Sequence, residues 1–312
     1  MKTICIIIMG VKQLLKFIKT NCPNSSKRIQ LSELSDKKIV IDTSIYMYKF
    51  KMNGGLFDNF YLLCMLLLDN SILPVFVFDG PKSFYKRHTL ETRNKSKVLA
   101  MQKIKNEKKC NNQISKSIKN KSIRITLDDI KVVKELLDTL GIMYIDAPYE
   151  ADEICAKLVL EKKVYACLSD DTDMFAYGCS KILTNIDLFE ETVTLYSMSQ
   201  ILRNLRIPQS TFREMCILSG TDYNKSYGPM QIHYKRYQEY KQTKIKKGYL
   251  QWLFENGYIN AIIYLSKIYL KYDLYASNFN ELKVFENISL YKNDIFESKL
   301  KLLLRKHYFI NP

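Results

Sequence analysis

Zinc ligands are scarce in this sequence. Its 312 residues include three histidines and eight cysteines, and no two cysteines form a Cys-x-x-Cys pair. Because zinc sites are built from such ligands at characteristic spacings, a zinc-dependent function is not expected. Cys155 and Cys167 fall within apolar runs, which predicts buried free thiols.

Long hydrophobic runs are also missing. No stretch approaches the roughly 18 consecutive apolar residues of a membrane-spanning helix. The opening segment MKTICIII resembles a truncated signal peptide, but Lys12 interrupts it and no small-residue cleavage site follows. We therefore expect no contact with a membrane and an intracellular setting in which thiols stay reduced.

Acidic residues are fewer than basic residues. Lysine and arginine number 48 against 32 aspartates and glutamates, a formal net charge of +16. Most of the excess lies in residues 82–124, where Glu91 and Glu107 are the only acidic residues. Such a run is typical of a solvated, partly disordered loop and equally of a phosphate-binding surface. The hydrophobic content of 47% excludes disorder for the chain as a whole.

Apolar strands alternate with helical segments over much of the chain. The predicted elements are a strand at 39–41, a helix at 56–70, a strand at 73–78, a helix at 127–140, a strand in GIMYIDA, a helix from 149 to about 162 and a strand in VYACLS. This alternation predicts an α/β fold whose central sheet is mostly parallel and flanked by helices. The apolar segment 249–270 is expected to form a core helix.

Acidic residues recur where these strands end or the following helices begin. The seven are Asp42, Asp79, Glu150, Asp152, Asp171, Asp173 and Asp222. Ligand sites of open parallel sheets lie at the carboxyl ends of the strands, where gathered carboxylates would repel one another without a cation among them. Oxygen ligands select Mg²⁺ or Mn²⁺, and two such ions about 3.5–4 Å apart can drive phosphodiester hydrolysis. The pattern predicts two Mg²⁺ ions per site, for which Mn²⁺ can substitute.

Each carboxylate alone has a simpler explanation. Asp42 or Asp79 by itself is more typical of a helix cap or a turn, and only the joint occurrence favours a metal site. Asp170 and Glu153 are neighbouring acids outside the set. One ion is assigned Asp42, Asp79, Glu150 and Asp152, and the other Asp171, Asp173 and Asp222.

The acidic motifs resemble those of a known family. MGVKQLLKFI, IDTS, VFDG, YEADEICA, SDDTD and SGTDY match, in order, motifs of the flap endonucleases of the xeroderma-pigmentosum-group-G superfamily, from Met9 to about Gly228. The resemblance implies metal binding by the seven carboxylates. It also implies a PIN-like nuclease core, a basic helical arch insertion and a C-terminal helix–turn–helix region. The compact, AT-rich chain is similar to versions from large DNA viruses.

The resemblance extends to five further residues. Lys86 and Arg93 match the catalytic lysine and arginine of the family's gateway helix, where cations stabilise charge on the scissile phosphate. Tyr48 matches an aromatic that stacks on a terminal base. Gly10 corresponds to a glycine near the substrate path, and Gly228 to the hairpin that grips duplex DNA. Without the resemblance, Lys86 and Arg93 would be typical surface cations and Tyr48 a core residue.

The implied organisation has four parts. They are an N-terminal part of the nuclease core at 1–81, the basic arch at 82–125, the second part of the core at 126–222 and a helical duplex-binding region with a tail at 223–312. Residues 1–8 are expected to precede the true start at Met9, because the spacing from Gly10 to Asp42 matches the family.

Four departures limit the resemblance. Asp152 replaces a glutamate, which shortens its reach to metal. The segment between Asp42 and Asp79 is short, which leaves the recognition of a one-nucleotide 3′ flap open. The hairpin is reduced to Tyr227-Gly228-Pro229, and no sliding-clamp peptide is visible near the carboxyl end.

The predicted function is a Mg²⁺-dependent, structure-specific 5′ nuclease. It would act as a monomer on branched, 5′-flapped DNA in replication, repair or recombination, in the nucleus or at a viral replication site. A 5′→3′ exonuclease on DNA or RNA and a junction-resolving nuclease remain alternatives. So does a non-catalytic nucleic-acid scaffold, although an intact acidic set argues against it.

Overall fold

The computed structural model describes residues 10–80, 123–243, 247–275 and 294–308. Lys86, Arg93, most of the predicted arch and residues 1–8 lie outside these ranges. Two compact units are found within them. The first unit comprises residues 10–33, 38–40, 152–243 and 247–275, and the second comprises residues 34–37, 41–80, 123–151 and 294–308.

Seven strands are found in the described ranges. They are β1 (Ser26–Gln30), β2 (Lys38–Asp42), β3 (Leu73–Phe78), β4 (Tyr144–Asp146), β5 (Ala166–Leu168), β6 (Lys181–Asp187) and β7 (Thr192–Ser197). The order in the sheet is β1-β7-β6-β5-β2-β3-β4. β3 pairs with β4 and β5 with β6 in parallel, whereas β7 is antiparallel to both β6 and β1.

Twelve α-helices accompany the strands in the same part of the chain. They are α1 (Leu14–Asn21), α2 (Thr43–Met52), α3 (Leu56–Asp69), α4 (Leu127–Thr139), α5 (Ala151–Leu160), α6 (Asp173–Tyr177), α7 (Met198–Leu205), α8 (Gln209–Ser219), α9 (Met230–Gln242), α10 (Tyr249–Glu255), α11 (Ile262–Tyr272) and α12 (Glu297–Tyr308). The predicted α/β class is confirmed, with a mixed sheet. None of these helices combines the length and apolar composition needed to span a bilayer.

The elements that carry the acidic motifs form where the sequence predicts them. β3 has the predicted bounds, and its central residues 75–77 are fully buried, which explains an unbroken apolar run. α4 begins after Thr126, whose hydroxyl accepts the Asp129 N–H while the Asp129 carboxylate accepts the Thr126 N–H. Cys155 and Cys167 are buried and free, as expected.

The antiparallel strands were not predicted. In β1 only Ile29 is buried, so its apolar pattern is too weak to indicate a strand. β6 and β7 are joined by a tight turn in which Asp187 Oδ1 accepts the backbone N–H groups of Phe189 and Glu190. Such a turn is set by one side chain rather than by a glycine-containing pair.

The prediction of one core helix over 249–270 is wrong. α10 ends at Glu255, and Gly257 follows with a φ of 73°, a left-handed conformation that ends a helix. α11 then begins at Ile262 and runs to Tyr272. Its outer face carries Ile263, whose side chain is largely exposed.

A buried arginine connects three helices of the first unit. Arg213 on α8 donates to the backbone oxygens of Ala176 at 3.1 Å and Tyr177 at 3.4 Å, at the end of α6. Its guanidinium pairs with Asp273 at 2.8 Å, directly after α11, and donates to the hydroxyl of Tyr269 within that helix. One cation thus positions the ends of α6 and α11.

Replacing Arg213 with Met is expected to lower the free energy of unfolding by about 3–5 kcal/mol, because a carboxylate that is only 20% exposed and two carbonyls lose their buried donor. Urea unfolding monitored by circular dichroism measures the loss. The control is Lys27→Met, whose ion pair with Glu33 is at least half exposed on both sides and is therefore expected to contribute little to stability. Equal losses in the two variants would contradict the role assigned to Arg213.

A buried histidine lies beneath the turn that precedes α9. His233 is fully buried, and its Nε2 donates to the carbonyl of Gly228 at 3.1 Å. Gly228 has a φ of 141°, and its N–H donates to Ser226 Oγ at 3.0 Å. Burial lowers the pKa of His233 from 6.5 to about 4, so the ring is neutral at physiological pH.

His233 is expected to make the fold sensitive to acid. As the pH falls, the unfolded state binds a proton at this histidine before the folded state does. The free energy of unfolding is therefore unaffected by protonation of His233 above pH 6.5 and falls by up to about 3 kcal/mol as the pH approaches 4. His233→Gln lacks this group and should not show this loss. Wild type and variant should therefore become closer in free energy of unfolding as the pH is lowered from 7 to 4. Burial raises the pKa of Glu214 to about 7 and acts in the opposite direction, but Glu214 is common to both proteins. Parallel pH curves for the two proteins would count against this role.

Candidate metal centre

Two aspartates occupy the turn between β5 and α6. Asp173 is the first residue of α6, and Asp171 precedes it by two positions. The N–H of Asp171 donates to Ser169 Oγ at 3.1 Å, and the N–H of Asp173 donates to Asp171 Oδ1 at 2.9 Å. Both carboxylates are buried, a costly position for charge unless partners or a cation compensate.

Gly10 approaches both carboxylates closely. Its φ of 80° is left-handed, and a Cβ at this position would overlap Oδ1 of Asp171 and lie 2.6 Å from Oδ1 of Asp173. The hydroxyl of Thr172 donates to the carbonyl of Val11 at 3.2 Å and fixes the neighbouring backbone. The two carboxylate oxygens therefore face one small space that a side chain at position 10 would fill.

A tyrosine from α11 holds one of these aspartates. The hydroxyl of Tyr272 donates a hydrogen bond to Oδ2 of Asp173 at 2.6 Å, and both side chains are fully buried. Burial, followed by the negative charge of Asp173, raises the pKa of Tyr272 well above its ordinary value. The hydroxyl therefore remains protonated and acts as the donor.

The two acids at the start of α5 have different environments. Oδ1 of Asp152 accepts the backbone N–H of Glu153 at 2.9 Å. The Glu153 carboxylate pairs with Lys271 Nζ at 2.5 Å, and Lys271 also lies 4.9 Å from the centroid of the Tyr223 ring. α11 thus supplies a cation, 11% exposed, next to one predicted ligand and a hydroxyl to another.

Asp222 lies in a tight turn after α8 and is buried. The hydroxyl of Thr221 donates to Asn224 Oδ1 at 2.8 Å, and Asn224 Nδ2 donates to the carbonyl of Ile217 at 2.7 Å. These side-chain bonds help to close the turn that carries Asp222.

Asp79 lies in the second unit and contacts the start of α5. Its Oδ1 accepts the backbone N–H of Ala151 at 2.9 Å. Gly80 donates its N–H to the carbonyl of Tyr149 at 2.8 Å, and a Cβ on Gly80 would lie 2.1 Å from the carbonyl oxygen of Ala147. Asp79, which is exposed, thus makes the capping contact that was the simpler explanation for it.

The remaining predicted residues of the second unit are Asp42, Glu150 and Tyr48. Asp42 occupies the N-cap position of α2, but its side chain makes no capping hydrogen bond, and it is buried. Glu150 directly precedes α5 and is also buried. Tyr48 on α2 is 37% exposed, which leaves part of its surface accessible to a ligand.

Asp170 is separated from the other acids by its partner. Its Oδ1 accepts the backbone N–H of Asn185 at 2.7 Å, at a residue of β6 with a φ of 52°. Asp170 therefore stabilises the left-handed backbone of Asn185, and its exclusion from the metal set stays a prediction.

The donor chemistry of the acidic set fits a hard divalent ion. In the part of the chain that the structure describes, no three Asp, Glu, Cys or His side chains form a group that could hold a metal ion. Mg²⁺ needs only one or two direct carboxylates, because it keeps several of its waters. Asp171 and Asp173, facing one space beside Gly10, can supply such a pair.

The residues that support this pair were missed in the sequence. Tyr272 is one of 22 tyrosines, and Lys271 is one of 48 basic residues. The available signal was a polar run, Lys271-Tyr272-Asp273, that ends an apolar helix. Such a run is also typical of an ordinary helix end, so only the fold could reveal its partners.

Two family models match this chain. The model for the XPG N-terminal domain matches residues 9–100, and the model for the XPG I-region matches residues 141–222. The matched segments contain all seven predicted carboxylates.

Two relatives illustrate the similarity. The probable RAD2-like endonuclease 369L of Invertebrate iridescent virus 6 is 30% identical over 279 residues, which cover 69% of this chain and 67% of the relative. Flap endonuclease 1 of Debaryomyces hansenii is 30% identical over 237 residues, which cover 69% of this chain and 62% of the relative. The chain thus spans less than two thirds of the yeast protein.

The fold is shared with a solved catalytic core. The catalytic core of Rad2 in complex with DNA substrate superimposes with a TM-score of 0.68 at 24% identity, covering 96% of each chain. The sequence matches and the shared fold lead to one assignment. The chain belongs to the XPG family, together with the flap endonuclease and RAD2-like relatives that it matches.

Proposed function

We propose that this protein is a Mg²⁺-dependent, structure-specific 5′ nuclease that cleaves branched DNA. The observation that carries the proposal is the pair of buried carboxylates, Asp171 and Asp173, that face one space beside Gly10. Two aspartates in such a position are costly unless a cation joins them. Family membership supplies the reaction class, because the named relatives are endonucleases.

Two Mg²⁺ ions would be held by the predicted carboxylates. When bound, such ions stabilise charge on the phosphoryl and departing oxygens and activate a water. The proposed ligands remain Asp42, Asp79, Glu150, Asp152, Asp171, Asp173 and Asp222. Asp79 keeps a second oxygen for this purpose, since the bond to Ala151 uses only Oδ1.

Three side chains are proposed to act on the DNA near the scissile phosphate. Lys86 and Arg93 would stabilise its charge, and this proposal rests on their spacing in the sequence. Tyr48 would stack on a base with its exposed surface, a contact worth about 1–3 kcal/mol.

The turn before α9 is proposed to bind the duplex, in agreement with the predicted helix–turn–helix region. The N–H of Gly228 already donates to Ser226 Oγ, and the Gly228 carbonyl already accepts from His233. A phosphate bound at this N–H would therefore have to displace the Ser226 hydroxyl. Duplex binding here is expected to be weaker than with a free amide.

The biological setting is also a proposal. A monomer acting on 5′-flapped DNA in replication, repair or recombination is consistent with the relatives, in the nucleus or at a viral replication site. Cleavage of labelled flap, nick, gap, Holliday-junction and RNA substrates side by side distinguishes flap cleavage from exonuclease or junction-resolving activity.

Replacing Asp171 with Asn is expected to abolish Mg²⁺-dependent cleavage of 5′-end-labelled flap DNA while leaving DNA binding largely intact. The loss follows because one ligand of a carboxylate pair loses its charge. The matched control is Asp170→Asn, which retains an oxygen to accept the Asn185 N–H and should remain active. Circular dichroism verifies that both variants are folded. Undiminished cleavage by Asp171→Asn would refute the assignment.

Lysines of the predicted arch are expected to set the salt dependence of DNA binding. Replacing Lys95, Lys97 and Lys103 with Gln should reduce the slope of log affinity against log salt by about one for each phosphate that is no longer neutralised. The control is the triple Gln variant at Lys131, Lys299 and Lys301, exposed residues of α4 and α12. If both triple variants keep the wild-type slope, the arch does not clamp phosphates.

A further inference from the structure

α11 reaches the acidic residues although it lies beyond both matched family segments, the second of which ends at residue 222. Its last two residues contact two different acidic motifs. Lys271 pairs with Glu153, and Tyr272 bonds Asp173 across 99 positions of sequence. Both contacts are formed within the first unit.

The Tyr272 ring is fixed by other aromatic side chains. Its centroid lies 4.8 Å from that of Tyr177 and 5.6 Å from that of Tyr223, in tilted and edge-on arrangements. Such pairs add to the stabilisation that burial provides. Because the ring is fully buried and packed, its hydroxyl stays in one position.

The hydroxyl orients the carboxylate that it contacts. Tyr272 uses Oδ2 of Asp173, while Oδ1 of the same group faces the space beside Gly10, where Oδ1 of Asp171 also lies. Rotation of the Asp173 carboxylate would break the Tyr272 bond. Groups that hydrogen-bond a ligating carboxylate in this way influence metal affinity strongly, although they do not touch the ion.

We propose that Tyr272 is a positioning residue that holds Asp173 in the orientation needed to bind Mg²⁺. This inference rests on the proposed function. Lys271, the residue before Tyr272, pairs with Glu153, which directly follows Asp152.

A second tyrosine of α11 offers a matched comparison. Tyr269 accepts a hydrogen bond from Arg213 at 3.3 Å, and its ring lies 5.1 Å from the guanidinium carbon. It therefore contributes to the packing of α8 against α11. Both of these interactions are with Arg213 and neither involves a predicted metal ligand, which distinguishes Tyr269 from Tyr272.

The test compares Tyr272→Phe with Tyr269→Phe in the full chain without DNA. Isothermal titration with MgCl₂ is expected to show at least about tenfold weaker binding for Tyr272→Phe, and affinity within about twofold of wild type for Tyr269→Phe. In cleavage assays, Tyr272→Phe should need a correspondingly higher Mg²⁺ concentration for half-maximal rate and should regain most of its rate at saturation.

Thermal unfolding at increasing MgCl₂ gives a second measure of affinity. The ion raises the melting temperature according to its concentration relative to Kd, so the comparison holds even for a destabilised variant. Equal Mg²⁺ affinity in wild type, Tyr272→Phe and Tyr269→Phe would overturn the inference and leave the proposed function intact. Equal weakening in both variants would also overturn it, since a general packing role would then explain the effect. Absence of Mg²⁺ binding by wild type would overturn both proposals.

Discussion

The burial of negative charge is the constraint on which this structure depends. Six of the seven predicted ligands are at most 9% exposed. An ionised carboxylate in such a position is unstable unless hydrogen bonds or a cation compensate. The fold provides specific compensation: a tyrosine hydroxyl for Asp173, a backbone N–H for Asp152 and a second backbone N–H for Asp171. These donors offset part of the cost of burying each carboxylate.

Two sets of groups offset the buried negative charge. The first set consists of the side chains and backbone amides that hydrogen-bond the carboxylates. In the second set, Arg213 connects α6, α8 and α11, so the helix that begins with Asp173 and the helix that ends with Tyr272 share one buried cation. The turn that carries Asp222 has its own closure through Asn224. Side chains outside the predicted ligand set thus hold much of the backbone that carries the predicted metal ligands of the first unit.

The predictions succeeded where local pattern determines structure. β3 has the predicted bounds because an unbroken apolar run is typical of a strand covered on both faces. The helix predicted at 56–70 matches α3 within one residue, because the segment has the length and apolar content of a buried helix. Asp79 shows that the simpler explanation and the metal hypothesis need not compete, since one of its oxygens caps α5.

The failures arose where distant contacts or single backbone positions decide the outcome. The break at Gly257 divides an apolar segment that composition alone predicted as continuous. β1 contains one buried residue and is recognisable only from its pairing with β7. The partner of Tyr272 lies 99 residues away, a distance over which local periodicity contains no information.

The α11 contact also constrains insertions and deletions. A helix advances by about 100° per residue, so one residue added within α11 would turn every later side chain to another face. Residues 256–261 connect α10 and α11 and are not part of either helix, so their number does not set the direction of the α11 side chains. Length changes there can be absorbed by the connection, whereas the same change a few positions later would remove the phenol from its carboxylate. Tolerance to indels should therefore change abruptly at Ile262.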